Sequence, residues 1–155
     1  MAKKTILCAF DFSESSLQAL RWTMVMAEMY KAQVTFLYCY RLISANDDGE
    51  LLNIKRDMES SAASKFHEIE KKIKMPATVP YQFISEVGFF SSRIEQFIRK
   101  TPVELVVIGN SVVDNFNEFR DQSFDQFLST IKVPIVIAPK GMGDFIEVES
   151  TWNKS

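Results

Sequence analysis

The sequence predicts a single α/β domain with an open, five-stranded parallel sheet and helices on both faces, as in Rossmann-like folds. Short apolar runs alternate along the chain with longer stretches whose apolar residues recur at helical spacing. The length of 155 residues matches one domain. The composition, 46% hydrophobic and 25% charged, is that of an ordinary folded chain and excludes intrinsic disorder.

Five short runs predict the strands. They are Thr5–Phe10, Val34–Tyr40, Tyr81–Ile84, Leu105–Ile108 and Ile135–Ala138. Uninterrupted apolar runs of this length are typical of strands buried on both faces of a parallel sheet. The last run lies between two prolines, Pro134 and Pro139, and is expected at an edge of the sheet.

Four amphipathic stretches predict the helices. They begin after Ser13, near Leu51, at a capping-box pair of Ser92 with Glu95, and near Phe124. Residues 110–122 fit either a short helix or a packed loop. Residues 141–155 have the pattern of a C-terminal tail, so we expect the domain to span residues 1–140.

Composition and charge exclude several classes of function. No apolar run approaches the ~20 residues of a membrane helix, and no apolar signal region follows Met1. The net charge of −2 does not attract a phosphate backbone, so neither a nucleic acid nor a membrane is expected as partner. Cys8 and Cys39 lie inside apolar runs, as buried reduced thiols do. These features predict a cytoplasmic protein.

Catalytic and metal-binding motifs are missing from the sequence. His67 is the only histidine and lies among charged residues of a predicted helix, which is typical of a solvent-facing side chain. The two cysteines lack the Cys-x-x-Cys spacing of zinc or redox sites. Neither a metal site nor a Ser-His-acid triad is therefore predicted, and we expect no enzyme activity.

Three stretches of the chain resemble the universal stress protein family, over about residues 3–140. They are Lys4–Ser13 for the first strand and its acid, Glu104–Gly109 for the fourth strand, and Val133–Pro139 for the last strand. The resemblance implies the strand order 3-2-1-4-5. It also implies a homodimer, often joined through the last strands, which here means the Ile135–Ala138 edge strand.

The nucleotide-binding branch of this family holds ATP between the ends of the first and fourth strands. It uses a Gly-x2-Gly-x9-Gly-Ser/Thr motif after the fourth strand, of which Gly109 and Ser123 match the first and last positions. Val112 and Gln122 stand where the other two glycines are expected. Because β-branched Val112 resists the positive φ that turns amides toward a phosphate, we expect the site for ATP with Mg to be lost and no cofactor to be bound.

If a nucleotide site is retained, the resemblance places its contacts at four residues: Asp11, Ser13, Gly109 and Ser123. Each polar residue among them also has a structural interpretation. Asp11 could cap the first helix, with Glu14 completing a capping box, and Ser13 could supply the hydroxyl at the start of that helix. Ser123 could cap the last helix together with Gln126.

The segment that follows the fourth strand is unusually rich in phenylalanine: Phe116, Phe119, Phe124 and Phe127. These rings could fill the crevice in which a nucleotide would otherwise bind, or they could form a surface for a partner. The leading hypothesis is a non-enzymatic, universal stress protein-like homodimer that acts in the stress response through protein contacts. The alternative is an adenine-nucleotide-binding module that acts as a nucleotide sensor.

Overall fold

All five predicted strands are present in the computed structural model, which describes residues 4–42, 47–119 and 123–138. The strands are β1 (Thr5–Ala9), β2 (Gln33–Tyr40), β3 (Tyr81–Val87), β4 (Leu105–Ile108) and β5 (Ile135–Ile137). They form one parallel sheet in the order β3-β2-β1-β4-β5. The predicted fold class and strand order are confirmed.

Five helices connect the described strands, one more than the four predicted. They are α1 (Glu14–Tyr30), α2 (Asp48–Lys72), α3 (Phe90–Lys100), α4 (Asn110–Phe119) and α5 (Phe124–Thr130). The additional helix is α4, so residues 110–119 are a helix and not a loop. The predicted tail, residues 141–155, lies outside the described residues.

The two faces of the sheet have separate cores, and β1 contributes to both. Ile6 and Cys8 pack with buried residues of α1 and α2, whereas Leu7 and Ala9 pack with buried residues of α3, α4 and α5. Every residue of β1 is buried. This burial explains why the strand is an uninterrupted apolar run, since neither of its faces meets water.

The register places the ends of β1 and β4 side by side. Ala9 pairs with Ile108 on one side and with Leu37 of β2 on the other. From β1 the chain proceeds outward through β2 and β3, and it then crosses back to β4 and β5 on the other side of β1. The carboxyl ends of β1 and β4 therefore form the switch point of the sheet, where ligands bind in open α/β folds.

The start of α3 differs from the prediction. Phe89 is the N-cap residue, and Ser92 lies inside the helix, so the predicted Ser92–Glu95 capping box is wrong. The reason is that β3 continues to Val87 and Gly88 turns the chain directly into α3 with a φ of 132°. A backbone at this φ is readily adopted only by glycine, which allows the short connection.

The two cysteines lie on neighbouring strands and are both free. Cys8 belongs to the core under α1 and α2, and Cys39 packs against the core on the opposite face. Burial raises the pKa of the Cys8 thiol to about 12 and also raises the pKa of Cys39. Thiols that stay protonated in this way are inert, as expected for core residues.

No helix among the described residues is long and apolar enough to cross a membrane.

Candidate functional site

The switch point contains one carboxylate surrounded by hydroxyl groups. The Asp11 side chain accepts hydrogen bonds at Oδ1 from the Ser16 hydroxyl (2.6 Å), the Ser13 hydroxyl and the Ser13 amide (3.1 Å). Its Oδ2 accepts one from the Ser111 hydroxyl at 2.6 Å. The Ser15 hydroxyl lies 3.0 Å from that of Ser111. We call these five residues the Asp11–serine cluster.

The Asp11–serine cluster joins two helices through a single carboxylate. Ser13 and Ser16 belong to the start of α1, and Ser111 belongs to the first turn of α4. Burial raises the pKa of Asp11, but hydrogen bonds from Ser111, Ser13 and Ser16 stabilise the charged form more strongly, so the pKa lies below its ordinary value. Asp11 is thus a carboxylate at neutral pH, and its charge is held by neighbouring donors.

Ser13 is the N-cap residue of α1. Its hydroxyl accepts a hydrogen bond from the Ser16 amide at 3.1 Å, as predicted for the hydroxyl at the start of this helix. The predicted capping box of Asp11 with Glu14 is wrong, because Glu14 is already the first helical residue. Asp11 lies two residues before the N-cap, where it accepts a hydrogen bond from the cap hydroxyl itself.

Three amide groups at the start of α4 are also hydrogen-bonded within the protein. The Ser111 amide donates to the Ser15 hydroxyl at 3.1 Å. The amides of Val112 and Val113 donate to the Gly109 carbonyl at 3.2 and 3.3 Å. The Val112 side chain is fully buried in the core under α3, α4 and α5. A regular, internally bonded helix therefore begins where the glycine motif would place a phosphate-binding loop.

Gly109 is required here by packing. A Cβ atom added at this position would lie 2.7 Å from the carbonyl oxygen of Ser15 and 2.8 Å from its carbonyl carbon. These are backbone atoms of α1, which cannot rotate away as the end of a side chain can. The glycine thus permits the close approach of β4 to α1, and this approach brings Ser111 within reach of Asp11.

Phe12 adopts a backbone conformation that is unusual for its residue type. Its φ is 64°, in the left-handed region, where a residue with a Cβ atom is strained by about 1–2 kcal/mol. The ring is held between aromatic neighbours, with centroid distances of 4.9 Å to Phe10, 5.1 Å to Tyr38 and 5.8 Å to Phe83. These contacts offset the strain and fix the turn that presents Asp11 to the serines.

Three of the four phenylalanines after β4 are buried together. Phe116, Phe124 and Phe127 are 5%, 8% and 0% exposed, and the centroids of Phe116 and Phe127 lie 4.8 Å apart. They pack under α4 and α5, so they do not offer a surface to a partner. The side chain of Phe119 lies outside the described residues.

Comparison with known proteins agrees with this geometry. Residues 3–139 match the universal stress protein family. The chain belongs to this family. No curated protein matches the chain.

Solved structures show the same fold as this universal stress protein. A UspA protein from Lactobacillus plantarum is 14% identical, covers 90% of this chain and 99% of its own, and has a TM-score of 0.69. A universal stress protein in complex with cAMP is 16% identical, with coverages of 88% and 97% and a TM-score of 0.62. One from Archaeoglobus fulgidus in complex with dAMP is 14% identical, with coverages of 89% and 98% and a TM-score of 0.52.

The structure brings together three of the four residues that the family resemblance selects. Asp11 and Ser13 are hydrogen-bonded to each other, and Gly109 lies against the backbone of Ser15 in the first turn of α1. Ser123 is the N-cap of α5 and forms the predicted capping box with Gln126, at 3.1 and 3.2 Å. Gln122, which replaces the third glycine, lies outside the described residues. Contact of these residues with a nucleotide stays a prediction.

Sequence reasoning missed Ser15, Ser16 and Ser111 as members of this site of the universal stress protein fold. Ser111 is the most informative of them, because it donates to Asp11 across a separation of 100 residues. The available signal was its position three residues after the end of β4, a strand that neighbours β1. Using this signal requires the strand order and the register, which place the ends of β1 and β4 at the same height.

The potential metal ligands among the described residues do not gather in one place. No group of three or more histidine, cysteine, aspartate or glutamate side chains among them could hold a metal ion. His67 lies on the exposed surface of α2, with Nδ1 3.6 Å from Glu70. The described polar groups of the switch point can bind each other and hold the two helices, which is a structural task.

Proposed function

We propose that this universal stress protein acts as a non-enzymatic homodimer through protein contacts, and that it does not use ATP. One observation carries the proposal. Around the switch point, the amides of Ser13 and Ser16 at the start of α1, and three amides at the start of α4, donate to acceptors of the protein itself. A ligand would have to replace these bonds before gaining its own.

The energetic balance disfavours a phosphate at this position. Each internal hydrogen bond that is broken without replacement costs about 0.5–1.5 kcal/mol, and more where a charged group is involved. The Ser13 and Ser111 hydroxyls already donate to the Asp11 carboxylate, so a phosphate at the starts of these helices would compete with Asp11 for them. Val112 adds a buried side chain where a glycine would leave space. The residues present do not fit a triphosphate.

The homodimer is proposed to form through the Ile135–Ala138 edge. The Val106 amide donates to the Pro134 carbonyl and the Ala138 amide to the Ile108 carbonyl, both at 2.9 Å. Since backbone groups alternate in direction along a strand, those of Ile135 and Ile137 point away from β4. Ile137 is also 44% exposed. An edge that combines outward backbone groups with an apolar side chain is suited to pairing with a second copy.

The dimer is tested by sedimentation equilibrium at tens of micromolar. We expect a dimer for the unmodified chain and at least about tenfold weaker association for Ile137→Lys, since a lysine on an edge strand opposes pairing. Leu52→Lys is the matched control, because Leu52 is also exposed but lies on α2. A monomeric unmodified chain, or equal effects of the two substitutions, would overturn the dimer proposal.

Loss of the ATP site is tested by calorimetric titration with ATP and Mg²⁺, together with mass spectrometry of the untreated protein. We expect no heat at millimolar ATP and no co-purified nucleotide. The second candidate, an adenine-nucleotide sensor, is favoured by the two related structures in complex with cAMP and dAMP. Micromolar binding that Asp11→Asn weakens would establish that candidate and refute loss of the site.

A further inference from the structure

The strand β3 forms the edge of the sheet opposite β5. Just before β3, the Pro80 carbonyl accepts a hydrogen bond from the Val34 amide at 2.9 Å, and just after β3, the Gly88 amide donates to the Tyr40 carbonyl at 2.8 Å. Since backbone groups alternate in direction along a strand, the even-numbered residues of β3 face β2 and the odd-numbered residues face outward. The outward groups belong to Tyr81, Phe83, Ser85 and Val87.

The outer side of β3 is accessible along most of its length. None of the seven residues of β3 is buried, whereas every residue of β1 is. The carbonyl of Val87 accepts a hydrogen bond from Arg93 Nε at 2.7 Å, which closes the carboxyl end of the edge. The outward groups from Tyr81 to Ser85 remain as a template on which another extended chain can pair.

A groove of about 160 Å³ lies between this edge and α3. Its apolar part is formed by Leu37 of β2, Ile84 of β3 and Phe97 of α3. An apolar cavity of about 150 Å³ holds one benzene molecule, so this groove has room for a single apolar side chain. We call it the β3–α3 groove.

Positive charge lies at both ends of the β3–α3 groove. Because α3 crosses back antiparallel to β3, Arg93 lies toward the carboxyl end of the strand and Lys100 toward its amino end. Arg93 Nη1 donates to Gln96 at 2.8 Å, and none of the ion pairs between described side chains includes Arg93 or Lys100. Glu86 is the one acidic residue of the described lining, so two cations and one anion give it a net charge of +1.

The spacing of the two cations matches that of alternate side chains on an extended strand. Arg93 and Lys100 are seven residues apart, which corresponds to about 10 Å along α3. Two side chains four residues apart on one face of a strand are separated by about 13 Å. A strand beside β3 can therefore place one side chain in the groove and bring the side chains two residues before and after it to the two cations.

We propose that the β3 edge and the β3–α3 groove bind an extended segment of a partner protein with the pattern acidic-x-apolar-x-acidic. The segment adds to the sheet as a sixth strand, its apolar side chain enters the groove, and its carboxylates pair with Arg93 and Lys100. Backbone hydrogen bonds supply the affinity and the alternate side chains the specificity. The inference rests on the proposed action through protein contacts and deepens it, but it uses the edge opposite to that of the proposed dimer.

The test is a titration of the full chain with the synthetic peptide acetyl-TDVLVDT-amide, followed by amide hydrogen exchange measured by NMR. The peptide is palindromic, so it presents the same side chains whether it pairs parallel or antiparallel to β3. We expect exchange at the outward amides of Phe83 and Ser85 to slow by at least about tenfold at saturation, because these amides gain acceptors. The Ile84 amide faces β2 and should change little, which makes it the internal control.

Three altered peptides separate the parts of the proposed interface. Replacing the central leucine by alanine should weaken binding by at least about tenfold, since less apolar surface is buried. Replacing both aspartates by asparagine should weaken it by about tenfold, or about threefold for each exposed ion pair. Methylating the peptide nitrogens that face β3 should abolish binding. Equal affinities of these peptides and the parent peptide would overturn the inference.

Substitution of one cation tests the protein side of the interface. Lys100→Gln should weaken binding of the parent peptide about threefold and leave the asparagine peptide unchanged. Arg99→Gln is the matched control, because Arg99 is an exposed cation next in sequence that does not line the groove. Equal effects of the two substitutions, or protection centred on Ile135–Ala138, would overturn the inference.

Exchange in the peptide-free chain distinguishes the other occupants of the edge. Protection of Phe83 and Ser85 that rises with protein concentration would show that a second copy pairs there. Protection that is equal at all concentrations would show that a segment of the same chain covers the edge. Either result would overturn binding of a separate partner.

Ile137→Lys separates this inference from the proposed function. A monomeric Ile137→Lys variant that binds the peptide as tightly as the unmodified chain would support the inference and show that the two edges act independently. An unmodified chain that is dimeric but does not protect Phe83 and Ser85 with the peptide would overturn the inference and leave the proposed dimer standing. A monomeric unmodified chain that binds the peptide would refute the dimer and support the inference.

Discussion

Two neighbouring regions at the carboxyl edge of the sheet differ in how far side chains fill them. Between β1 and β4, the described polar groups bond to one another, and the side chains of Val112 and Phe116 fill the space beneath α4. At the ends of β2 and β3, ring faces and an arginine border an open cavity. The parallel topology creates a crevice along this edge. The size and packing of the side chains determine which part of this crevice is filled and which part stays open.

The difference also shows what each place can do. A network whose donors and acceptors are satisfied internally is rigid and joins α1 to α4, but it has little left to offer a ligand. The cavity at the ends of β2 and β3 is an open space of about 480 Å³ that no described side chain fills. The following substitutions test this contrast, beginning with the largest expected effect.

Phe116→Ala should produce the largest loss of stability. Phe116 is 5% exposed and contacts the rings of Phe124 and Phe127, so its removal leaves a cavity beneath the switch point. We expect the free energy of unfolding to fall by about 3–5 kcal/mol, measured by urea denaturation. Leu128→Ala, in the neighbouring helix but 42% exposed, is the control and should cost less than about 1 kcal/mol. Unchanged stability of Phe116→Ala would mean that the rings do not fill this region.

Asp11→Asn should produce the next largest loss of stability. The new amide group turns a donor toward hydroxyls that also donate, so at least one hydrogen bond to the former charge is lost. We expect a loss of about 1.5–3 kcal/mol at pH 7. Asp57→Asn removes the same charge from an exposed position of α2 and should have little effect. Similar losses for both would show that the Asp11–serine cluster does not hold the two helices together.

The contribution of Asp11 to the free energy of unfolding should decrease at acid pH. Its pKa in the folded protein is lowered, so the unfolded chain binds the proton at higher pH than the folded chain does. The stabilisation is complete above the unfolded pKa of about 3.9 and is lost as the pH falls through the lower, folded value. The stability difference between the unmodified chain and Asp11→Asn should therefore shrink only at acid pH. A difference that shrinks on raising the pH from 5 to 8 would contradict this assignment.

Gly109→Ala should be destabilising because of packing. The added methyl group would overlap the Ser15 carbonyl, which belongs to the backbone of α1. We expect a loss of about 1–3 kcal/mol. Gly49→Ala is the contrasting substitution, since its Cβ would meet only the Asp47 side chain, at 3.3 Å, and a helical glycine is replaced by a better helix former. That variant should be neutral or more stable by up to about 1 kcal/mol. If Gly109→Ala left the stability unchanged, packing would not explain the glycine, and binding of a ligand would again be a candidate reason for it.

The fold was largely predictable because strands buried on two faces must be apolar along their whole length. β4 was predicted with its observed bounds, and β1 differs by one residue. β3 was predicted three residues too short, because Ser85 and Glu86 interrupt its apolar run on an edge strand that is only half covered. The start of α3 was missed because its N-cap, Phe89, is not a capping residue type.

The site was predictable only where its residues follow β1 directly. Asp11 and Ser13 could be selected from their place at the end of a strand and the start of a helix. Ser111 could not, because its partner is determined by the pairing of β1 with β4. Gly109 was selected for its freedom near a phosphate, whereas the structure shows a close approach of two backbones. Steric contacts between distant segments leave no local pattern in the sequence.

Tyr40→Phe should have the smallest effect and tests the wall of the cavity at the ends of β2 and β3, which Tyr40 and Met58 line. The Tyr40 hydroxyl donates to Glu59 and so ties α2 to the end of β2, and burial raises its pKa, so it stays protonated at neutral pH. Tyr81 makes the same kind of bond to Glu70 near the other end of α2. Each phenylalanine variant should lose about 0.5–1.5 kcal/mol. Only Tyr40→Phe should speed amide hydrogen exchange at Met58, because, of these two bonds, the one from Tyr40 to Glu59 is beside Met58 and the cavity. Equal exchange at Met58 in both variants would show that packing alone holds the wall.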